Sequence, residues 1–224
     1  MSDPRARVRE LAAEYTRKGE QLGWFEKLYQ EAERGEAVVP WADMVPNPRL
    51  IEFWKKHPVE TAGKSALVIG CGLGDDSEQL AAWGFKTTAF DISPTAIENT
   101  KKRYPETRAR YVVSDLFHPP TEWSGAFDFV LEVYTVQAFT GELRGKAIET
   151  IARFVAPAGR LLVIARGRDD GEAEVQGPPW PLTRGEIDGF KRAGLIEESF
   201  EDYADPEPPW TRRFRALYRR AKSK

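Results

Sequence analysis

The chain has 224 residues, 41% apolar and 30% charged, a balance that fits one folded domain and excludes a disordered chain. No apolar run approaches the roughly 20 residues that cross a bilayer, and the N-terminal MSDPRARVRELAAEYTRK lacks the apolar core of a secretory signal, so a cytoplasmic protein with no membrane partner is expected. A single cysteine, Cys71, excludes an intrachain disulfide, His57 and His118 stand in no metal-ligand spacing, and a net charge of −2 gives no electrostatic reason for a nucleic-acid partner.

Residues 1–60 carry three amphipathic segments rich in aromatics. Val8, Leu11, Ala12 and Tyr15 mark the first helix, Trp24, Phe25, Leu28 and Tyr29 the second, and Leu50, Ile51, Phe53 and Trp54 the third. They are read as an N-terminal helical cap, residues 1–60, belonging to the same domain as a core over 61–224. The cap either lids a ligand-binding edge or pads one face of the domain. Prolines cluster in VPWADMVPNPRL, GPPWPL and DPEPPW, each with a tryptophan that is costly to leave in water, which predicts ordered loops.

From residue 65 the pattern alternates. ALVIG (66–70) predicts a strand, DSEQLAAWG (76–84) a helix ending at glycine, and KTTAFD (86–91) a second strand. Ser93 and Pro94 open the next helix as N-cap and first-turn proline. RYVVSD (110–115), FDFVLE (127–132) and GRLLVIAR (159–166) predict further strands, with helices near 142–155 and 183–194 between and after the last two. Apolar strands alternating with helices imply a doubly wound, mostly parallel sheet covered on both faces. Runs at 196–204 and 211–220 follow each other without a helix and predict an antiparallel terminal hairpin, which makes seven strands. The final TRRFRALYRRAKSK holds seven Arg or Lys and no acid, against 26 basic and 35 acidic residues in the rest of the chain. A basic tail can bind acidic partners, but Phe214, Ala216 and Tyr218 alternate with Arg213, Arg215, Leu217 and Arg219 at the period of a sheet, which favours a strand.

In SALVIGCGLGDD (65–76) the glycines Gly70, Gly72 and Gly74 stand in the first strand-to-helix loop, where an open parallel sheet contacts its ligand. Glycine permits positive φ and close approach of a ligand to backbone. Asp91 ends the second strand 17 residues after Gly74, where a carboxylate can accept from two ribose hydroxyls; a turn carboxylate is the plainer alternative. Asp115 ends the third strand, placed to accept from an adenine amino group with Leu116 and Phe117 flanking the ring. Together these describe an adenosine pocket and leave a dinucleotide and S-adenosylmethionine both open. The G-x-G-x-G spacing, and Asp75 and Asp76 at a helix N-terminus where a pyrophosphate would compete for the positive end of the dipole, favour S-adenosylmethionine. Cys71, between two glycines, has a packing explanation as a small residue.

ALVIGCGLGDD, TTAFDIS, VVSDLF and the terminal hairpin together resemble class I S-adenosylmethionine-dependent methyltransferases over about residues 60–220. The aromatic cap with its PW turn and the GPPWPLTRGEIDGF loop are similar to those of the thiopurine, thiol and halide methyltransferase group. The resemblance implies a Rossmann-like fold, S-adenosyl-L-methionine as cofactor, and methyl transfer to a small molecule, with a thiol or other soft nucleophile expected. It implies that Phe25, Tyr29 and Trp41 pack around the methionine part and the methyl group. It further implies that Gly70, Cys71, Gly72 and Gly74 approach the cofactor, that Asp91 and Ile92 meet the ribose, and that Asp115, Leu116 and Phe117 hold the adenine. Glu132 and Val133, at the end of the fourth strand, are also expected to meet the cofactor. In the family an acid there precedes a tyrosine and threonine; here LEVYTVQAF displaces Tyr134 by one position. A thiolate or halide needs no strong base, whereas a phenol or amine does, and Glu132 or Tyr134 is then the catalytic candidate; a core place for Tyr134 is the alternative. O- or N-methyl transfer, a nicotinamide-dependent oxidoreductase and a non-catalytic adenosine-binding module remain as other readings. A monomer and a homodimer are equally compatible with the sequence.

Overall fold

The computed structural model of the protein describes residues 3, 5–173, 175–205 and 211–222. Most of the DPEPPW cluster and the last two residues of the basic tail lie outside them. Seven strands form one sheet: β1 (Ser65–Ile69), β2 (Lys86–Asp91), β3 (Arg110–Val113), β4 (Phe127–Val133), β5 (Val155–Arg166), β6 (Ile196–Ala204) and β7 (Arg212–Arg219), in the order β3-β2-β1-β4-β5-β7-β6. β1 to β5 are parallel, and β7 lies antiparallel between β5 and β6. This is the expected seven-stranded α/β fold. Strand order reverses between β1 and β4, which opens a crevice beyond their carboxyl ends.

Alternating side chains of each strand feed two cores, as a sheet covered on both faces requires. Leu67, Val130, Leu161, Val163, Phe214, Ala216 and Tyr218 pack under α6 (Gly141–Phe154) and the last helical turns, while Val68, Ala89, Leu131, Leu162 and Ile164 pack under α3 (Pro48–Lys56), α4 (Asp75–Ala82) and α5 (Pro94–Arg103). α5 starts as its sequence predicts: the Ser93 hydroxyl accepts from the Ala96 N–H at 3.0 Å with Pro94 in the first turn. α1 (Ala6–Arg17) and α2 (Gly23–Glu33) join through Val8, Leu11, Trp24 and Leu28 and rest on Ala96 of α5. Glu26 of α2 ties them down by accepting from the Thr95 N–H at 3.2 Å and its hydroxyl at 2.7 Å. Among the described residues, no helix is long and apolar enough to cross a membrane.

Two local expectations change, and the favoured reading of the basic tail holds. β5 begins at Val155, directly after α6 and four residues before the expected strand, with Ala158 at φ 63° beside a register shift against β4. The helix expected over 183–194 is two single turns, α7 (Arg184–Ile187) and α8 (Gly189–Arg192). Thr183 and Glu186 cap the first reciprocally, and the glycines Gly185 and Gly189 weaken its continuation. The basic tail is a strand whose charges are used inside the protein: Arg213 meets Asp205, Arg219 meets Glu198, and Arg215, only 2% exposed, meets Glu201 and Glu52.

Candidate active site

A cavity of about 500 Å³ opens at the carboxyl ends of β1, β2 and β4 and runs beneath the N-terminal helices. Phe25, Tyr29, Trp41, Gly70, Cys71, Gly72, Asp91, Ile92, Asp115, Leu116, Phe117, Val133 and Tyr134 all line it. The sequence spread these over more than a hundred positions; the sheet brings them to one edge because each follows, or lies above, the end of a strand.

The glycine loop is shaped by its own packing. Gly70 has φ +57°, and a Cβ there would stand 2.7 Å from the Thr135 hydroxyl; at Gly72, with φ +53°, it would stand 3.0 Å from the Tyr29 hydroxyl. Gly74 does not line the cavity. It caps α4 at φ +89°, where a Cβ would meet Thr100 at 2.6 Å and the Tyr111 hydroxyl at 2.8 Å, so its requirement for glycine comes from helix packing.

Asp91 is buried at the end of β2. Its two oxygens accept from the Gly72 N–H at 3.0 Å and the Ser93 N–H at 2.9 Å. Burial raises its pKa, although these N–H donors oppose the rise. A carboxylate has about four acceptor sites, so two remain after the backbone bonds. Asp115 accepts from the Phe117 N–H at 2.8 Å and lies 2.7 Å from Nδ1 of His118, which leaves the Leu116 and Phe117 side chains beside the cavity.

Asp75 and Asp76 differ more than their adjacency implies. Asp75 is neutralised by Arg103 at 2.7 Å and receives the Tyr104 hydroxyl at 3.1 Å. Among the described residues Asp76 accepts from the Asn47 N–H alone, at 2.7 Å, and burial, followed by Asp75 and Asp43, pushes its pKa up to about 6. The electrostatic objection to a pyrophosphate at α4 therefore rests on Asp76.

The cap contributes an aromatic wall. Trp24 stacks on Phe25 at 3.8 Å, and Trp41 meets Trp24, Phe25 and Tyr29 edge-on at 6.1, 6.5 and 6.3 Å. The Trp41 indole N–H donates to the Tyr29 hydroxyl at 2.9 Å. Burial, then Asp91, raises the Tyr29 pKa well above that of an ordinary phenol, so the ring is neutral.

Glu132 stands apart from this lining. It is fully buried below the cavity floor, where one oxygen accepts from the Thr135 N–H at 2.6 Å and the Val136 N–H at 2.9 Å and the other has no partner. Burial pushes its pKa up to about 7. Its geometry is that of a group bracing the turn after β4, and it is not among the residues that line the cavity. That turn holds Tyr134 at φ 63°, a conformation that costs a non-glycine residue about 1–3 kcal/mol and persists only where the surroundings enforce it. The ring lies 5.1 Å from the Arg213 guanidinium. Four arginines on the wall, Arg5, Arg49, Arg166 and Arg213, were not singled out by sequence. The available signal was a charged residue closing the apolar run GRLLVIAR.

A model of a methyltransferase domain matches residues 66–159. A thiopurine S-methyltransferase from Vibrio atlanticus is 25% identical over 179 residues, covering 73% of this chain and 80% of that protein. A probable thiol methyltransferase 2 from Arabidopsis thaliana is 25% identical over 171 residues, covering 71% and 72%. A structure from work on the conversion of a disulfide bond into a thioacetal group during echinomycin biosynthesis superposes with a TM-score of 0.70 at 22% identity, covering 89% of this chain and 94% of that one, a likeness of fold. The fold, the domain match and these relatives agree in supporting a class I S-adenosylmethionine-dependent methyltransferase, an enzyme that takes S-adenosyl-L-methionine as its cofactor.

Proposed function

We propose that the enzyme methylates a small-molecule acceptor at a thiol or another soft nucleophile, with cap and core (1–60 and 61–224) acting as one domain. The observation that carries this reading is the enclosure of the glycine loop, Asp91 and Asp115 in one cavity under the aromatic wall of Phe25, Tyr29 and Trp41. The site residues suit the cofactor. Asp91 retains acceptor capacity for a ribose, and Asp115 with Ile92, Leu116 and Phe117 supplies one acceptor and apolar faces for an adenine. Gly70, Cys71 and Gly72 bring backbone close to the methionine part, next to Val133. Burial, then Asp91, raises the pKa of the Cys71 thiol well above the ordinary value, which keeps it a neutral packing group. When bound, the cofactor supplies an activated sulfonium methyl, so the protein's task is to align a nucleophile and exclude water. Phe25, Tyr29 and Trp41 present ring faces and edges that suit a cation and an apolar acceptor.

A soft nucleophile fits because no histidine lines the cavity and Glu132 lies beneath it. Two relatives bear thiol- or thiopurine S-methyltransferase names, which supports the same class. A phenol or amine would need a proton acceptor, for which Tyr134 on the cavity wall is the candidate. An acceptor screen with the full chain, spanning thiols, iodide, phenols and amines and read by S-adenosylhomocysteine formation, tests the proposal. Turnover of thiols above all other classes is expected; turnover confined to amines or phenols would overturn it.

A further inference from the structure

The parallel and antiparallel halves of the sheet give the cavity two electrically different walls. Asp91 and Asp115 stand over β2 and β3. Across the cavity, Arg166 ends β5 and Arg213 is the second residue of β7, directly opposite each other in the antiparallel register, with Arg5 and Arg49 also lining the cavity. Like charges facing across a strand pair destabilise a sheet, so this pairing asks for an explanation.

Three of the four arginines are accounted for in different ways. Arg213 donates to Asp205 at 2.6 Å and lies over the Tyr134 ring; Arg49 pairs with the other oxygen of Asp205; Arg5 sits at the start of α1 with its backbone N–H on Asp3. Arg166 is held firmly at its backbone, its N–H donating to the Gln137 side chain at 2.8 Å and its carbonyl accepting from the Leu182 N–H at 2.8 Å. Its guanidinium lines the cavity and makes no hydrogen bond or ion pair among the described residues. Burial, then Arg5 and Arg213, pushes its pKa down to about 10, which still leaves it cationic at neutral pH. A half-buried cation with two cationic neighbours and one shared carboxylate is an incomplete ion-pair network, and a planar guanidinium is matched by a carboxylate in two parallel hydrogen bonds.

We infer that the acceptor carries a carboxylate, received by Arg166 on the β5–β7 wall of the cavity while its nucleophile faces the aromatic wall. The inference rests on the proposed small-molecule methyl transfer and adds the acceptor's charge to it. Tyr134, against Arg213, and the Pro178–Pro179 loop line the same cavity and offer the acceptor's body apolar surface.

The cofactor's own carboxylate is the competing occupant, and the test separates the two. Benzoate and its neutral isostere benzamide are titrated by calorimetry into the full chain saturated with S-adenosylhomocysteine. Benzoate is expected to bind about tenfold more tightly or better, the scale of a charge-assisted hydrogen-bonded pair. In Arg166→Gln the two probes are expected to come within about threefold of each other while S-adenosylhomocysteine affinity is unchanged, and Arg166→Lys is expected to restore part of the preference for benzoate. Equal binding of the two probes to the wild-type protein would overturn the inference, and that comparison needs no variant to fold. A loss of S-adenosylhomocysteine affinity in Arg166→Gln as large as the loss for benzoate would also overturn it, by assigning the guanidinium to the cofactor. Failure of the wild-type protein to bind S-adenosylhomocysteine at all would be a distinct result, against the cofactor placement itself.

Discussion

Asp91→Asn tests the ribose role in a nearly isosteric background. In the wild-type protein the Gly72 and Ser93 N–H groups occupy two of the carboxylate's acceptor sites at 3.0 and 2.9 Å, leaving two for a pair of hydroxyls. Asparagine keeps one oxygen and turns the other into an amide donor. One charge-assisted bond to the ribose is lost, the second becomes a neutral one, and the new NH₂ faces a backbone donor. Charged hydrogen bonds contribute about 1.5–3 kcal/mol each, so the expected loss is about 3 kcal/mol, roughly a hundredfold in the dissociation constant of S-adenosylhomocysteine. Burial already raises the pKa of Asp91, so removing the charge relieves a desolvation cost and the variant is expected to remain folded. Calorimetric titration, with a thermal melt as the folding control, measures both quantities. A folded Asp91→Asn protein that binds S-adenosylhomocysteine within about threefold of wild type would refute the assignment, since no rearrangement of one amide replaces two carboxylate acceptors.

Glu132 has a folded-state pKa of about 7 against an ordinary 4.5, so the native state binds this proton more tightly than the unfolded chain. Its contribution is present below the unfolded pKa and is lost as pH rises through 7, by at most about 3 kcal/mol. Wild-type Tm should therefore fall between pH 5 and pH 8 more steeply than that of Glu132→Gln; equal slopes would remove Glu132 as the cause. Gly74→Ala puts a Cβ against Thr100 and Tyr111 at positive φ and should cost about 2–4 kcal/mol of stability, with S-adenosylhomocysteine affinity well below Tm unchanged because the residue is outside the cavity. Arg215→Ala unpairs Glu201 and frees the Arg49 carbonyl that Arg215 reaches at 3.0 Å. A loss of about 3 kcal/mol is expected, lowering Tm by roughly 6–12 °C; a melt within about 2 °C of wild type would show the buried arginine to be energetically idle.

The parallel half of the protein was legible because its signals are local. An apolar run followed by glycine or aspartate describes both a strand and the ligand edge that the strand creates, so Asp91 and Asp115 could be placed from a few residues each. Glu132 was legible as a position but not in its orientation. The family resemblance singled it out, and its side chain turns to the Thr135 and Val136 N–H groups under Tyr134. Which way a strand-end carboxylate points depends on the turn that follows, and here the turn takes a left-handed tyrosine that no propensity scale favours.

The arginine wall was illegible for a different reason. Residues 211–220 read as a charged terminal strand, with no indication of where their charges would go. Insertion of β7 antiparallel beside β5 brings the start of a late strand to the carboxyl ends of the early ones, and so delivers Arg213 to the ligand edge opposite Arg166, 47 positions earlier in the chain. A parallel seventh strand would have sent that residue to the far end of the sheet, away from the cavity. The antiparallel pairing therefore does more than finish the sheet: it sets a basic wall against the acidic strand ends of the cofactor side. A difference in strand direction, pairing residues 47 positions apart, is how this fold gives the two sides of one cavity opposite charge.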